Sequence, residues 1–259
     1  MSAEPELDGG RLPHYSCAMA TALDFRRFEV LSFDCFGTLI DFERGVLTAL
    51  RPILNRHGVT LSDDELLETY GALKLPIERS SPFLPFREVL LRTMDSVGHR
   101  FGFEPTPAER SALVDTIGDW PPFPDTVEAL ARLGRHFRLV ILSNIDDDLF
   151  EGNARQLQVP FAAVVTSQQV GSYKPSLANF RSMLERLGLP KEPVLHVAQS
   201  LFHDIGPARE LGLTSVWINR RHDRLGFGGT PPGQAEPDLR VPDLRTLADL
   251  VEAQLDGEP

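Results

Sequence analysis

Cysteine is scarce in this sequence. Cys17 and Cys35 are the only two in 259 residues, too few for a disulfide framework or a cysteine zinc site, so a reducing, cytoplasmic setting is expected. Long apolar runs are also missing; none approaches the ~20 residues of a membrane-spanning helix. Positive charge is in deficit, with 26 Lys and Arg against 37 Asp and Glu and a formal net charge of −11. That balance excludes an extended polyanion such as nucleic acid as the main partner, because phosphate binding needs clustered Lys and Arg. It leaves room for a small cationic pocket. The first 24 residues lack a secretory apolar region and are broken by Pro and Gly, so they read as a disordered extension, with Met19 a candidate start.

What is present is ordinary globular composition: 42% hydrophobic and 24% charged residues. Such a chain buries a sizeable core. Strand signals fall at Phe28–Phe33, Arg138–Leu142, Ala162–Thr166, Val194–Ala198 and Thr214–Ile218. Helical periods alternate with them from the second onward, at Thr126–Leu133, Asp146–Gln158, Ser176–Leu187 and Asp204–Leu211. Gly134, Gly188 and Gly212 stand where helix-ending glycines stand. This alternation predicts an α/β fold with a parallel sheet covered on both faces.

The rhythm breaks between the first two strands. From Phe42 to Trp120 only helical patterns occur: Arg44–His57, Ser62–Lys74, Pro85–Phe103 and Pro107–Gly118. Ser62 with Glu65 predicts a capping box, and Pro107 suits a first helical position. The expected organisation is an extension over 1–24, a core from 25–41 and 121–259, and a helical cap over 42–120. Residues 226–242 read as a surface loop, followed by a helix near Asp243–Leu255.

In an open parallel sheet, ligands bind beyond the carboxyl ends of the strands. The residues there are Asp34 with Gly37-Thr38, Ser143-Asn144, Lys174-Pro175, and Gln199-Ser200 with Asp204. Singly, each has a plain structural reading as a turn former, a helix N-cap or a solvated lysine. Together, in this order, they form a constellation. His203 next to Asp204 reads as a surface or packing residue, since neighbours on a helix face different ways. Cys35 reads as a small buried hydrophobe. The run Asp146–Asp148 suits a helix dipole. Tyr173 and Trp217 read as packing residues, while Phe83, Phe86, Phe101 and Phe103 pack the cap and in part line the cleft.

These motifs resemble the four ordered motifs of the haloacid dehalogenase superfamily, from about Phe28 to Arg220. The resemblance implies a Rossmann-like parallel-sheet core with a helical-bundle cap inserted after the first strand. It implies Asp34 as the nucleophile of a covalent ester intermediate, supported by Lys174, Asp204 and Thr38. Phe36, Ser143, Asn144, Gln199 and Ser200 are the expected substrate contacts. Magnesium-dependent phosphatases of this superfamily carry a proton-donating Asp two residues after the nucleophile and an acidic metal ligand in the last motif; here those positions are Phe36 and Gln199. The chain therefore resembles the L-2-haloacid dehalogenase branch, which implies no metal and no cofactor. The substrate implied is a small organic acid anion, converted to a 2-hydroxy acid.

That branch also carries a halide-cradling Arg early in the cap. Glu68–Leu73 supplies none, leaving Arg79 or Arg87 as substitutes. Phe180 stands for the branch's Tyr, and Gln199 and Leu201 for its Ser and Asn. Hydrolysis at another activated carbon, a magnesium phosphatase, and a non-catalytic binding module are the alternatives. A homodimer is compatible with the chain.

Overall fold

The computed structural model describes residues 23–257. The proposed extension and the Met19 start therefore lie almost wholly outside the described residues, as does Cys17. Phe25–Arg27 form one turn of 3-10 helix, capped by the Asp24 side chain.

Six strands build one parallel sheet: β1 Val30–Phe33, β2 Arg138–Ser143, β3 Ala163–Thr166, β4 Val194–Ala198, β5 Thr214–Ile218 and β6 Leu239–Val241. Their order is β3-β2-β1-β4-β5-β6, so β1 lies in the middle, between β2 and β4. The chain starts in the centre, winds outward to β3, then returns past β1 to wind the other way. Alternation along each strand feeds two cores. Leu31, Phe33, Leu139, Ile141, Leu195 and Val197 belong to one. Val30, Val140, Leu142 and Val194 belong to the other, with Phe180 and Met183.

β6 was not among the expected strands. Its three residues end a Gly- and Pro-rich stretch and pair only with β5, at an edge where a short strand is the usual solution.

Five helices stand between β1 and β2, and the first four form the insertion: α1 Phe42–Arg56, α2 Asp63–Glu78, α3 Phe86–Phe101 and α4 Pro107–Thr116. The remaining helices follow the sheet rhythm: α5 Thr126–Leu133, α6 Asp147–Leu157, α7 Ser167–Val170, α8 Leu177–Leu187, α9 Gly206–Leu211 and α10 Leu244–Leu255. Gly188 and Gly212 end their helices with left-handed backbone, as expected of glycine, whereas Gly134 closes α5 at φ −65. Ser62–Glu65 and Thr106–Glu109 both form reciprocal capping boxes, each cap contributing about 1 kcal/mol. α2 does not stop at Lys74; it runs through Pro76 to Glu78, and that extra turn carries Glu78 into the cleft.

The insertion is tied to the sheet layer by polar contacts centred on two buried side chains, Asp146 and Arg221. Asp146, just before α6, accepts hydrogen bonds from the backbone N–H groups of Phe86 and Arg87, both at 2.8 Å, and so caps α3 across the cleft. Arg221, after β5, pairs with Glu43 and Asp64 of the insertion.

Gly45 on α1 is buried against Trp120; a Cβ placed there would overlap the indole. Gly45→Ala must therefore displace that ring, which meets Phe36 edge-on with centroids 5.9 Å apart. The expected cost is about 1–3 kcal/mol of stability, read as a lower urea midpoint at unchanged slope. A midpoint equal to wild type would show that the indole moves freely.

Among the described residues no helix is long and apolar enough to cross a membrane.

Candidate active site

The carboxyl end of β1 sets the geometry. Asp34 leaves the strand, and the chain turns at once, with the N–H groups of Leu39 and Ile40 both donating to Cys35 O. Gly37 takes φ +94 within that turn, and a Cβ there would meet Gln199 Oε1 at 3.1 Å and the Phe42 ring at 3.2 Å, so both backbone and space require glycine. The turn brings Thr38 back onto Asp34: its hydroxyl donates to Asp34 Oδ2 at 2.7 Å and accepts from the Gln199 N–H at 2.8 Å.

Lys174 arrives from the loop after α7, and its backbone is held by Asn144. The Asn144 carbonyl accepts from Lys174 N at 2.8 Å and its amide donates to Lys174 O at 3.1 Å. Asn144, expected as a substrate contact, thus positions the lysine and keeps one amide hydrogen for a ligand. Lys174 Nζ then donates to Asp34 Oδ1 at 2.8 Å, Asp204 Oδ1 at 2.7 Å and Leu142 O at 2.8 Å. All three of its protons have partners. The lysine is 3% exposed, Asp34 7% and Asp204 1%, so one ammonium bridges two carboxylates away from water.

The charges shift accordingly. Burial is the largest influence on Asp34 and raises its pKa; Asp204 adds to that, Lys174 and Thr38 oppose it, and the carboxyl ends above the usual range. Burial also acts to raise Asp204, but Lys174 and the His196 hydrogen bond outweigh it and hold the carboxyl below the usual range. Burial acts to lower Lys174, and the two carboxylates more than reverse it. The pair of acids is thereby split in character. Burial pushes the Cys35 thiol far up, consistent with a packing role.

His196, in the middle of β4, was missed as a site residue. Its Nδ1 lies 2.8 Å from Ser32 Oγ and its Nε2 lies 3.0 Å from Asp204 Oδ1. Nothing in the strand pattern marked it; an inward-facing His on a buried strand was the available signal.

These groups open into a cavity of ≈ 70 Å³, lined by Asp34, Phe36, Ser143, Asn144, Lys174, Gln199, Ser200 and Asp204 from the sheet layer. Thr38 stands behind Asp34 and is not part of the wall. The insertion contributes Phe42, Tyr70, Lys74, Glu78 and Phe86, and the tail contributes Gly229 and Thr230. Space of this size takes a ligand of only a few heavy atoms.

Three expectations need correction. Arg79 stacks over Phe202, and Arg87 pairs with Asp148 at the surface; neither lines the cavity, whereas Lys74, the residue after Glu68–Leu73, does. Residues 226–242 are not merely a surface loop, since Gly229 and Thr230 close one side and Thr230 donates to Gln199 Oε1 at 3.3 Å. His203 is not a surface residue; it lines the cavity with a buried ring nitrogen.

A parallel α/β sheet with a carboxylate, lysine and second carboxylate at its carboxyl edge, roofed by inserted helices, defines a class of hydrolase. The sequence matches the haloacid dehalogenase-like hydrolases over residues 28–212, and the chain belongs to that family. It is 26% identical over 231 residues to the (S)-2-haloacid dehalogenase of Pseudomonas fluorescens, covering 86% of this chain and 96% of that enzyme. It is 33% identical over 131 residues to the phosphoserine phosphatase of Thermus thermophilus, 49% of this chain and 50% of that one. The chain spans about half the length of that relative and of other curated phosphatases it matches. The fold superposes on the L-2-haloacid dehalogenase of Xanthobacter autotrophicus with a TM-score of 0.73 at 22% identity, covering 87% of this chain and 98% of that one.

Proposed function

We propose that the protein hydrolyses a small 2-substituted carboxylic acid, with a 2-haloacid as the substrate type, through a covalent ester on Asp34. The observation that carries this reading is the leaving-group side of Asp34. Where a phosphatase would need a proton donor stands the Phe36 ring, packed edge-on against Trp120. A halide departs without a proton.

The steps follow from the residues. One oxygen of Asp34 attacks C2; the new C–O bond forms as the carbon–halogen bond breaks, and halide leaves with its electron pair. C2 is inverted. Lys174 keeps Asp34 ionised and oriented, and Ser143 Oγ, buried without a partner, is available to the substrate carboxylate. Water then adds to the Asp34 ester carbonyl. Asp204 Oδ1 is held by Lys174 and His196, while Oδ2 is buried and unpartnered, so Oδ2 receives the water's proton. Collapse of the adduct breaks the acyl C–O bond, the departing 2-alkoxide takes the proton back from Asp204, and Asp34 loses its proton to solvent to regain the carboxylate.

The phosphatase relatives, 33% to 35% identical, favour a second reading, phosphate hydrolysis, here taken with magnesium. The donor set does not fit it. Hard Mg²⁺ seeks several charged oxygens in a near-octahedral shell. Lys174 Nζ already bridges Asp34 Oδ1 and Asp204 Oδ1, Thr38 takes Asp34 Oδ2, and Gln199 offers a neutral amide turned to Thr230, so Asp204 Oδ2 is the one carboxylate oxygen of this set left without a partner.

A panel of 2-haloacids and an aryl phosphate, each with and without Mg²⁺, separates the two. Halide release giving the inverted 2-hydroxy acid is expected. Mg²⁺-stimulated phosphate release with no halide release would replace this reading by the second.

A further inference from the structure

Three buried polar atoms of the cavity residues have no hydrogen-bond partner: Ser143 Oγ, Asp204 Oδ2 and His203 Nε2. The chemistry above uses the first two. His203 is left over, and its surroundings fix what it offers. Ser200 Oγ accepts from the His203 backbone N–H at 2.9 Å and lies 3.1 Å from its Nδ1. With the Ser200 hydroxyl proton pointing to Nδ1, the Ser200–Nδ1 hydrogen bond is complete and the ring proton sits on Nε2, the nitrogen without a partner. In that tautomer His203 presents a buried N–H donor to the cavity.

Its position complements Ser143. Ser143 ends β2, His203 follows β4, and β1 with Asp34 lies between those strands. A ligand that spans the cavity from Ser143 past Asp34 to the β4 side reaches the wall on which His203 stands. The turn Leu201–Ile205 that carries His203 is π-helical, an irregularity frequent at functional sites.

Resting on the haloacid reading of this site, we propose that His203 is a specificity residue whose Nε2–H donates to a neutral oxygen (hydroxyl, ether or carbonyl) on the substrate's C2 substituent. The partner is neutral because both ammonium groups of the cavity wall are already taken by its three carboxylates. Lys74 is engaged by Glu78 at 2.8 Å, and Asp204 by Lys174. Among the charges acting on His203, Glu78 and Asp204 offset Lys74 and Lys174, while burial is the main influence, holding the ring near pKa about 4 and so uncharged at neutral pH. A second carboxylate would find no free cation there. An alkyl substituent would leave the N–H orphaned, a loss that binding sites discriminate strongly.

The test compares 2-chloropropanoate, 2-chloro-3-hydroxypropanoate and chlorosuccinate, of matching configuration at C2, with wild type, His203→Phe and His203→Gln. Wild type is expected to prefer the hydroxymethyl over the methyl substrate in kcat/KM by roughly 10- to 100-fold. His203→Phe should collapse that ratio toward one, mostly through KM, and His203→Gln, which keeps a donor, should restore part of it. Calorimetry with lactate and glycerate, run on wild type and His203→Phe, reads the same contact without turnover. Glycerate preferred only when His203 is present, with no halide released from any substrate, would sink the haloacid reading and keep the hydrogen bond. Equal ratios in wild type and His203→Phe, or a preference for chlorosuccinate, would overturn the proposal.

Discussion

Asp34→Asn is expected to remove halide release almost completely, by roughly 10⁴-fold or more, while leaving the fold intact. The substitution keeps shape and volume, and an amide can still meet Thr38 and Lys174. It cannot attack carbon as a carboxylate does. So large an effect from one atom requires a chemical role for the carboxylate; an Asp34 that merely fixed Lys174 or capped its turn would cost far less. The covalent route also makes an isotopic prediction. Since water adds to the ester carbonyl of Asp34, a single turnover in H₂¹⁸O should place the label in the enzyme, and only later turnovers should pass it to the 2-hydroxy acid. Peptide mass spectrometry over the segment containing Asp34 would show it. Label appearing first in the product would mean that water attacks C2 directly and that Asp34 is a base.

Most of this arrangement was legible in the chain, for physical reasons. Buried parallel strands must be apolar on both faces, so five of six were visible as short hydrophobic runs; β6 lay hidden because an edge strand of three residues needs no such run. Asp34, Lys174 and Asp204 could be found because strand-end positions recur at regular intervals in a parallel fold. Lys74, Glu78 and His203 could not, because they meet only when the insertion folds back across the sheet. Pro76 concealed part of that group: a proline discourages the helix before it, yet α2 continues through it because its buried face, Leu66, Leu67 and Tyr70, is held against the other inserted helices. His203 was misjudged through an α-helical assumption, whereas the turn that bears it is π-helical and wraps the cavity.

Lys174→Met tests how the site holds charge. The methionine matches the lysine stem but leaves Asp34 and Asp204 facing each other without the ammonium that bridges them. Breaking a buried ion pair by removing one partner typically costs about 3–5 kcal/mol, and a cost in that range is expected at neutral pH by denaturant unfolding. The loss should depend on pH in a definite direction. Asp34 already has a raised folded pKa, so its ionisation opposes folding, and stability falls as pH rises through that pKa. Without Lys174 that pKa rises further, and the deficit should be larger at pH 8 than at pH 5. Asp204 works oppositely in the wild type: its depressed pKa gives stability that is full above the ordinary carboxylate range and is lost as acid protonates it. Activity should follow Asp34, which attacks only when ionised. The acid limb of kcat/KM in wild type is expected above the ordinary carboxylate range, and in Lys174→Met whatever activity survives should show that limb displaced to higher pH. Adding Asp34→Asn to Lys174→Met removes one of the two opposed charges and should recover part of the lost stability, a coupling measurable as a double-mutant cycle. If the two substitutions simply add, the lysine is not neutralising that pair, and its three hydrogen bonds serve only to fix the loop that carries it.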